Sequence, residues 1–124
     1  MKRILIADDE EQIRESIRAA LEGLGYEIIE ADNGATALDL ARSQKPHLII
    51  SDVIMDNGSG FLLRELLRED EETCMIPMIL MTGQAQPSGA WASDPDIEYL
   101  EKPFSAADLL SAVEWAINRS LRSQ

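Results

Sequence analysis

The sequence lacks the residues on which several kinds of site depend. Its 124 residues include one cysteine and one histidine, so it has neither a disulfide framework nor the ligands of a thiolate or imidazole metal site. Glycine and proline are modest in number and form no low-complexity linker. No apolar run approaches the roughly 18 residues that span a bilayer, and no secretory leader is evident. We therefore expect a cytoplasmic domain without a membrane span.

Basic residues are scarce relative to acidic ones. Eleven lysines and arginines stand against 23 aspartates and glutamates, which gives a formal net charge of −12. Such a chain repels the phosphate backbone of nucleic acids, so direct nucleic-acid binding is not expected. Most of the excess acid should be solvated surface, except where carboxylates converge in the fold and need a cation.

Short apolar runs alternate with longer amphipathic runs along the chain. The apolar runs are too short for core helices, and several are rich in isoleucine, which predicts buried parallel strands. They cover residues 3–7, 27–30, 48–51, 78–82 and 98–100. The amphipathic runs predict four helices. The first ends at Gly25, and the other three begin at Asn33 or Asp32, at Ser59 and at Ser105. The alternation predicts an α/β fold with a doubly wound five-stranded parallel sheet, flavodoxin-like (βα)5.

Two helical segments bear on possible partner surfaces. Residues 83–96 contain two prolines and two glycines, which predicts a short or distorted fourth helix. The predicted buried stripe of the last helix consists of Ala106, Leu110, Val113, Ile117 and Leu121. Trp115 is then almost opposite the stripe, so it and Trp91 are candidate partner anchors on an output face. The alternative is that each ring lies on its own helix and on neighbouring side-chain stems.

Polar residues follow the ends of four predicted strands. Asp8 and Asp9 follow the first strand, Asp52 the third, Thr82 ends the fourth and Lys102 follows the fifth. The carboxyl ends of parallel strands meet at one edge, so we expect these side chains to converge. Carboxylates packed together need a cation, and an all-oxygen ligand set favours Mg²⁺ or Mn²⁺. With a lysine and a hydroxyl for phosphate oxygens, the set suits phosphoryl transfer to a carboxylate.

Four segments of the sequence resemble the response-regulator receiver domain of two-component signalling, the CheY-like superfamily. They are ILIADDE, LIISDVIM with the following SGF, MILMTG and EYLEKPF, in the family's order and close to its spacing. The resemblance implies one receiver domain over residues 1–124, a signalling domain that catalyses only its own phosphorylation and dephosphorylation. The implied partners are a sensor histidine kinase or histidine phosphotransfer protein, and a downstream protein or a fused output domain.

The resemblance also implies roles for the acidic residues. Asp52 corresponds to the phosphoacceptor. Asp9 corresponds to a direct Mg²⁺ ligand and Asp8 to one that acts mainly through water, while the backbone carbonyl of Ile54 completes the protein ligands. The run from Asp8 to Glu11 has another interpretation, an acidic helix start, which suits its last two residues best.

The same resemblance implies how the phosphoryl group is bound and sensed. Thr82 corresponds to its hydrogen-bond donor and Lys102 to its ion-pair partner, and Thr82 and Tyr99 correspond to the switch residues. Tyr99 as a plain strand aromatic is the alternative. The Lys102–Pro103 peptide bond is expected to be cis.

Asp56 departs from the family, which usually has a proline there; either the loop is a harmless variant, or metal affinity or partner choice differs. Two other functions compete with the phosphorylated switch. A receiver-like fold that binds partners without phosphorylation is disfavoured because the sequence has all four of the residues that such a fold tends to lose, Asp9, Asp52, Thr82 and Lys102. A Mg²⁺-dependent aspartyl phosphohydrolase is disfavoured because the acceptor follows the third strand rather than the first.

Overall fold

A five-stranded parallel sheet organises the chain. The computed structural model describes residues 2–55, 58–83 and 97–122. The strands are β1 (Arg3–Ala7), β2 (Glu27–Ala31), β3 (Leu48–Asp52), β4 (Ile54–Met55), β5 (Gly58–Ser59), β6 (Met78–Thr82) and β7 (Ile97–Glu101). The large sheet has the order β2-β1-β3-β6-β7, which confirms the predicted doubly wound sheet. Each of its strands is within one residue of the predicted bounds.

A short antiparallel ladder follows β3. In it β4 pairs with β5, Ile54 opposite Ser59 and Met55 opposite Gly58. The sequence predicts a loop here, because two-residue strands leave no periodicity to detect. The ladder turns the chain back toward the sheet, so that the amide of Gly60 donates to the carbonyl of Val53 at 2.9 Å.

Four helices are described: α1 (Glu11–Glu22), α2 (Gly34–Gln44), α3 (Gly60–Arg68) and α4 (Ala106–Arg122). Three begin at the predicted caps. Asn33 Oδ1 accepts from Thr36 at 2.9 Å, Ser59 Oγ accepts from Leu62 at 3.0 Å, and Ser105 and Asp108 bond each other reciprocally at 3.3 and 3.1 Å. These bonds satisfy amides that a helix start leaves without partners. α1 ends at Glu22, before the predicted Gly25, which has φ +90° in the turn that follows.

Both faces of the sheet are covered. Alternate side chains of a strand point to opposite faces, so Ile4 and Ile6 pack with α1 and α4 while Leu5 and Ala7 pack with α2 and α3. Ile4 to Ala7 are all fully buried. A strand buried on both faces has little freedom to slip in register, and this fixes where its carboxyl end lies.

The buried face of α4 differs from the predicted stripe. The buried residues are Leu109, Ala112, Val113 and Ala116. This face is turned from the predicted stripe by one residue position, about 100°, and it includes two small residues, Ala112 and Ala116. Trp115 therefore lies beside the buried face, half-buried and packed against the core. The prediction that it lies opposite that face is wrong.

Some predictions fall on residues outside the described ranges. They concern the fourth helix after Gly83, Trp91 within it, and the Asp56 variant. In the ranges that are described, no helix has both the length and the apolar character needed to cross a membrane.

Candidate functional site

The carboxyl ends of four strands bring the predicted polar residues to one edge of the sheet. β1 and β3 are neighbours with Ala7 opposite Ser51, so the next residues along, Asp8 and Asp52, lie side by side. The strand order reverses between these two strands, and such a switch point is where open α/β sheets bind ligands. Thr82 ends β6, and its carbonyl accepts from the amide of Lys102 at 2.7 Å.

Lys102 lies between the carboxylates of Asp8 and Asp52 at this edge. Its Nζ lies 3.4 Å from Asp8 Oδ2 and 3.4 Å from Asp52 Oδ2. The side chain of Asp8 is wholly buried, and those of Asp52 and Lys102 are 15% and 22% exposed. Charges so far removed from water interact more strongly than surface pairs. The lysine reaches from the end of β7 to the ends of β1 and β3 and holds both aspartates.

The single positive charge of Lys102 does not balance the carboxylates of Asp8 and Asp52. Burial raises the pKa of the Asp8 carboxyl, and Asp52 raises it further, against the opposing effects of the Glu10 amide and Lys102. Burial lowers the pKa of Lys102, but the carboxylates of Asp8 and Asp52 outweigh this effect and the pKa is raised. The lysine is thus firmly protonated at neutral pH, while the charge on Asp8 remains costly. A further cation would relieve that cost.

Each polar atom of Asp8 has a partner. Its amide donates to the carbonyl of Ala31 at 3.1 Å, and its Oδ1 accepts from the amide of Glu10 at 2.8 Å. Its carbonyl accepts from Arg14 Nη1 at 2.7 Å, and its Oδ2 faces Lys102. The backbone and the carboxylate of Asp8 are therefore both held in place.

An acidic group begins at Asp8. Among the described residues, Asp8, Asp9 and Glu10 each offer a carboxylate oxygen, and these oxygens lie within 4.8 Å of one another. Asp9 and Glu10 are exposed. The oxygen-only donor set and the cost of the charge on Asp8 fit a hard divalent cation such as Mg²⁺. Asp52 lies outside this group and is connected to it through Lys102. The sequence pattern indicates only a helix start for Glu10, and its position next to Asp9 was the only sign that it belongs to the acidic group.

The remaining predicted residues are near this edge in different ways. Thr82 is half-buried at the last position of β6, and Tyr99 lies opposite Leu80 and packs against the core on the α2 and α3 side. Ile54 begins β4 beyond Asp52. The Lys102–Pro103 bond is cis, as predicted.

Gly60 is a residue of the site that the sequence pattern did not indicate. A Cβ atom there would lie 2.7 Å from the backbone oxygen of Asp52 and 2.7 Å from Leu80 Cδ2. Both distances are far below van der Waals contact, so only glycine fits while the chain passes this close to Asp52. Gly60 belongs to the SGF segment on which the resemblance rests, but only the structure shows how close it lies to Asp52.

Comparison with known proteins gives a consistent result. Residues 4–114 match the family described as the response regulator receiver domain. The phosphate regulon transcriptional regulatory protein PhoB of Pseudomonas aeruginosa is 37% identical over 96% of this chain, and the match covers 53% of PhoB. Protein PilH of the same organism is 34% identical over 91% of this chain and 95% of PilH. The chain thus spans about half the length of PhoB and nearly all of PilH.

Solved structures share the fold. The receiver domain of the sensor histidine kinase PA1611 from Pseudomonas aeruginosa is 25% identical, with a TM-score of 0.84 over 94% of this chain and 98% of that one. That structure has a magnesium ion coordinated in its active site cleft.

Proposed function

This chain belongs to the response regulator receiver domain family, and we propose that Asp52 is its phosphoacceptor in a Mg²⁺-dependent reaction. The family consists of the receiver domains of two-component response regulators, which are signalling domains. One observation carries the assignment of Asp52: Lys102 Nζ lies 3.4 Å from both Asp8 Oδ2 and Asp52 Oδ2. A carboxylate beside an acidic metal site and a fixed ammonium group has the surroundings that phosphoryl transfer requires.

The acidic residues would have different roles in binding Mg²⁺. Asp9 would ligate it directly and Asp8 mainly through water, with Asp52 and the backbone carbonyl of Ile54 completing the protein ligands. The three aspartates and Lys102 leave two negative charges, which a divalent cation cancels. When bound, the cation supplies this neutralisation, so that an anionic phosphoryl donor approaches without repulsion. The magnesium ion reported for the PA1611 receiver domain supports this part of the proposal.

In the reaction, an Asp52 carboxylate oxygen attacks the phosphorus of the donor, and the bond from phosphorus to the donor breaks. The product is an acyl phosphate on Asp52. Lys102 pairs with a phosphoryl oxygen, and the Thr82 hydroxyl donates to another. The chain catalyses only its own phosphorylation and dephosphorylation: the first step releases the dephosphorylated donor, and in the second water attacks the phosphorus and inorganic phosphate leaves the restored Asp52 carboxylate.

Tyr99 and Thr82 connect the site to an output surface. Thr82 would move toward the phosphoryl oxygens, and Tyr99 would turn into the space that it leaves. Tyr99 and Lys102 also line an open groove of about 470 Å³ between β7 and α4. The Tyr99 side chain packs on the α2 and α3 side of the sheet, so a change there would reach the groove through the backbone of β7.

The donor would be a sensor histidine kinase or a histidine phosphotransfer protein, and the site of action the cytoplasm, where such kinases phosphorylate receivers. Output would pass to a separate protein, the simpler arrangement for a PilH-like chain, or to a fused domain in a longer PhoB-like one. The receiver domain would extend over residues 1–124.

Labelling with acetyl phosphate tests the proposal. We expect Mg²⁺-dependent incorporation of one phosphoryl group that is stable in acid and labile in alkali, located on Asp52 by mass spectrometry. Asp52→Asn should abolish it, and Asp39→Asn on the exposed side of α2 is the matched control. Labelling on Asp56 or Ser59, or labelling that survives Asp52→Asn, would overturn the assignment.

A further inference from the structure

Arg14 on α1 makes a contact that the phosphoryl-transfer chemistry does not use. Its Nη1 donates to the backbone carbonyl of Asp8 at 2.7 Å. Its Nε donates to Glu30 Oε1 on β2 at 3.1 Å. The side chains of Arg14 and Glu30 are 15% and 27% exposed, so the pair is largely removed from solvent. The guanidinium thus connects the end of β1 to β2 on the side of Asp8 away from Lys102.

Glu30 is itself held from a second direction. Its Oε2 accepts from Arg18 Nη1 at 2.6 Å, and Arg18 also pairs with Glu22 at 3.5 Å. Both oxygens of Glu30 are therefore engaged. A carboxylate fixed in this way is a rigid anchor for Arg14, and the planar guanidinium presents its donors at fixed angles to one another.

We propose that Arg14 and Glu30 are positioning residues that set the affinity of the acidic group for Mg²⁺. The inference rests on the proposed metal site. The backbone amide of Asp8 donates to the carbonyl of Ala31, and the backbone carbonyl of Asp8 accepts from Arg14. That carbonyl belongs to the peptide bond joining Asp8 to Asp9, so its orientation sets the direction in which the Asp9 side chain leaves the backbone. Without the Arg14 bond, the peptide group between Asp8 and Asp9 can rotate, and the carboxylates of these two residues lose their fixed direction.

The sign of the effect separates positioning from simple electrostatics. Removing a positive charge near an acidic site strengthens cation binding through Coulomb attraction. Removing a group that orients the ligands weakens it, typically by about 10-fold or more for an outer-shell partner. Arg14→Gln should therefore weaken Mg²⁺ binding although it makes the surroundings more negative. Arg42→Gln is the matched control, because it removes the same charge from an exposed position in the last turn of α2 and leaves the bonds of Asp8 and Glu30 intact.

The experiment is a Mg²⁺ titration of the folded 124-residue chain, followed through backbone amide resonances, for the native protein and both variants. We expect Arg14→Gln to weaken binding about 10-fold and Arg42→Gln to change it by less than about three-fold. In metal-free protein, Arg14→Gln should also speed hydrogen exchange at the Glu10 amide, which bonds Asp8 Oδ1. Glu30→Gln should fall between the two variants, since its amide oxygen still accepts from Arg14.

Phosphorylation kinetics provide a second readout. For Arg14→Gln, the Mg²⁺ concentration at half-maximal rate should rise about 10-fold, while the maximal rate at saturating Mg²⁺ stays within about two-fold of native. Unchanged or tighter binding in Arg14→Gln, or an equal loss in Arg42→Gln, would overturn the positioning role. If the native chain itself neither binds Mg²⁺ nor accepts phosphate, the proposed function fails. This result is distinguishable from failure of the positioning role, which is seen only when the variants are compared with a native chain that binds Mg²⁺.

Discussion

Lys102 and Asp52 come from strands that are not neighbours, yet Lys102 Nζ lies 3.4 Å from Asp52 Oδ2. β6 lies between their strands, and the lysine reaches past the end of β6 to make the contact. The pair therefore depends on how far each of the two strands extends at this edge.

Replacing the lysine should affect metal binding and phosphorylation in opposite directions. Lys102→Met removes a positive charge from the site, so Mg²⁺ should bind about three-fold or more tightly. Phosphorylation of Asp52 should slow by at least about 10-fold, because the charge on the phosphoryl group loses its partner. Lys45→Met removes the same charge from an exposed pair with Glu72 and should change neither. Slower labelling with weaker Mg²⁺ binding would instead indicate that Lys102 supports the fold of the site.

The wholly buried Asp8 should make stability depend on pH and metal. Its raised pKa means that the folded protein holds the Asp8 proton more tightly than the unfolded chain does. The stability contributed by the protonated group is therefore lost as pH rises through the folded pKa. Asp8→Asn cannot ionise, so in metal-free buffer it should melt higher than native at pH 7, by roughly 3 °C or more. The gain should shrink toward pH 4 and disappear in saturating Mg²⁺. A variant that melts lower at pH 7 without metal contradicts this reasoning.

The three members of the acidic group should contribute unequally to Mg²⁺ affinity. Asp9→Asn removes a proposed direct ligand and should weaken binding by about 10-fold or more, as measured by calorimetry. Glu10→Gln removes the same charge from the N-cap position of α1 and should weaken it by less than about three-fold. Equal losses would mean that the site responds only to net charge, and Asp9 would then have no special position in it.

Gly60 should tolerate no side chain. In Gly60→Ala the new Cβ would press on the backbone oxygen of Asp52 and on Leu80, and overpacking of this kind costs about 1–3 kcal/mol. Gly23→Ala is the control: it has helical φ of −62°, and the nearest atom to its Cβ would be 3.9 Å away. It should stabilise by about 0.5 kcal/mol. Urea unfolding measures both, and a neutral Gly60→Ala would mean that α3 shifts without cost.

Tyr99 should couple the phosphorylated site to β7. Beryllofluoride, a phosphoryl mimic, should alter amide exchange in residues 97–101, an edge strand that pairs only with β6 among the described strands. In Tyr99→Ala this response should disappear while labelling of Asp52 stays within about two-fold of native. Persistence of the response in Tyr99→Ala would assign the coupling to another residue.

The strands, the helix starts and the residues at the strand ends were predictable because each follows from local chemistry. Isoleucine-rich runs define strands buried on both faces. Asn33, Ser59 and Ser105 cap helices with bonds that span three residues, so the neighbouring sequence contains both partners. Asp8, Asp52 and Lys102 were predicted to converge because parallel strands place their carboxyl ends together.

The features that the sequence did not predict depend on distances between segments. Arg14 had the pattern of an exposed helix residue, and its bond to the Asp8 carbonyl arises only when α1 packs beside the end of β1. The burial of Ala112 and Ala116 depends on how closely α4 approaches the sheet, and counting large apolar residues selected Leu110 and Ile117 instead. Gly60 is required by a backbone atom of Asp52, which no pattern of side chains reveals.

The register of the parallel strands has a consequence for insertions and deletions. One extra residue within β3 or β7 would turn Asp52 or Lys102 to the opposite face of the sheet and separate their charged atoms. An extra residue in a turn at the amino ends of the strands, such as the one around Gly25, leaves that register intact. Length changes are therefore tolerated far from the site and forbidden in the strands leading to it. Partner-binding surfaces on the helices can thus diverge while the chemistry stays the same.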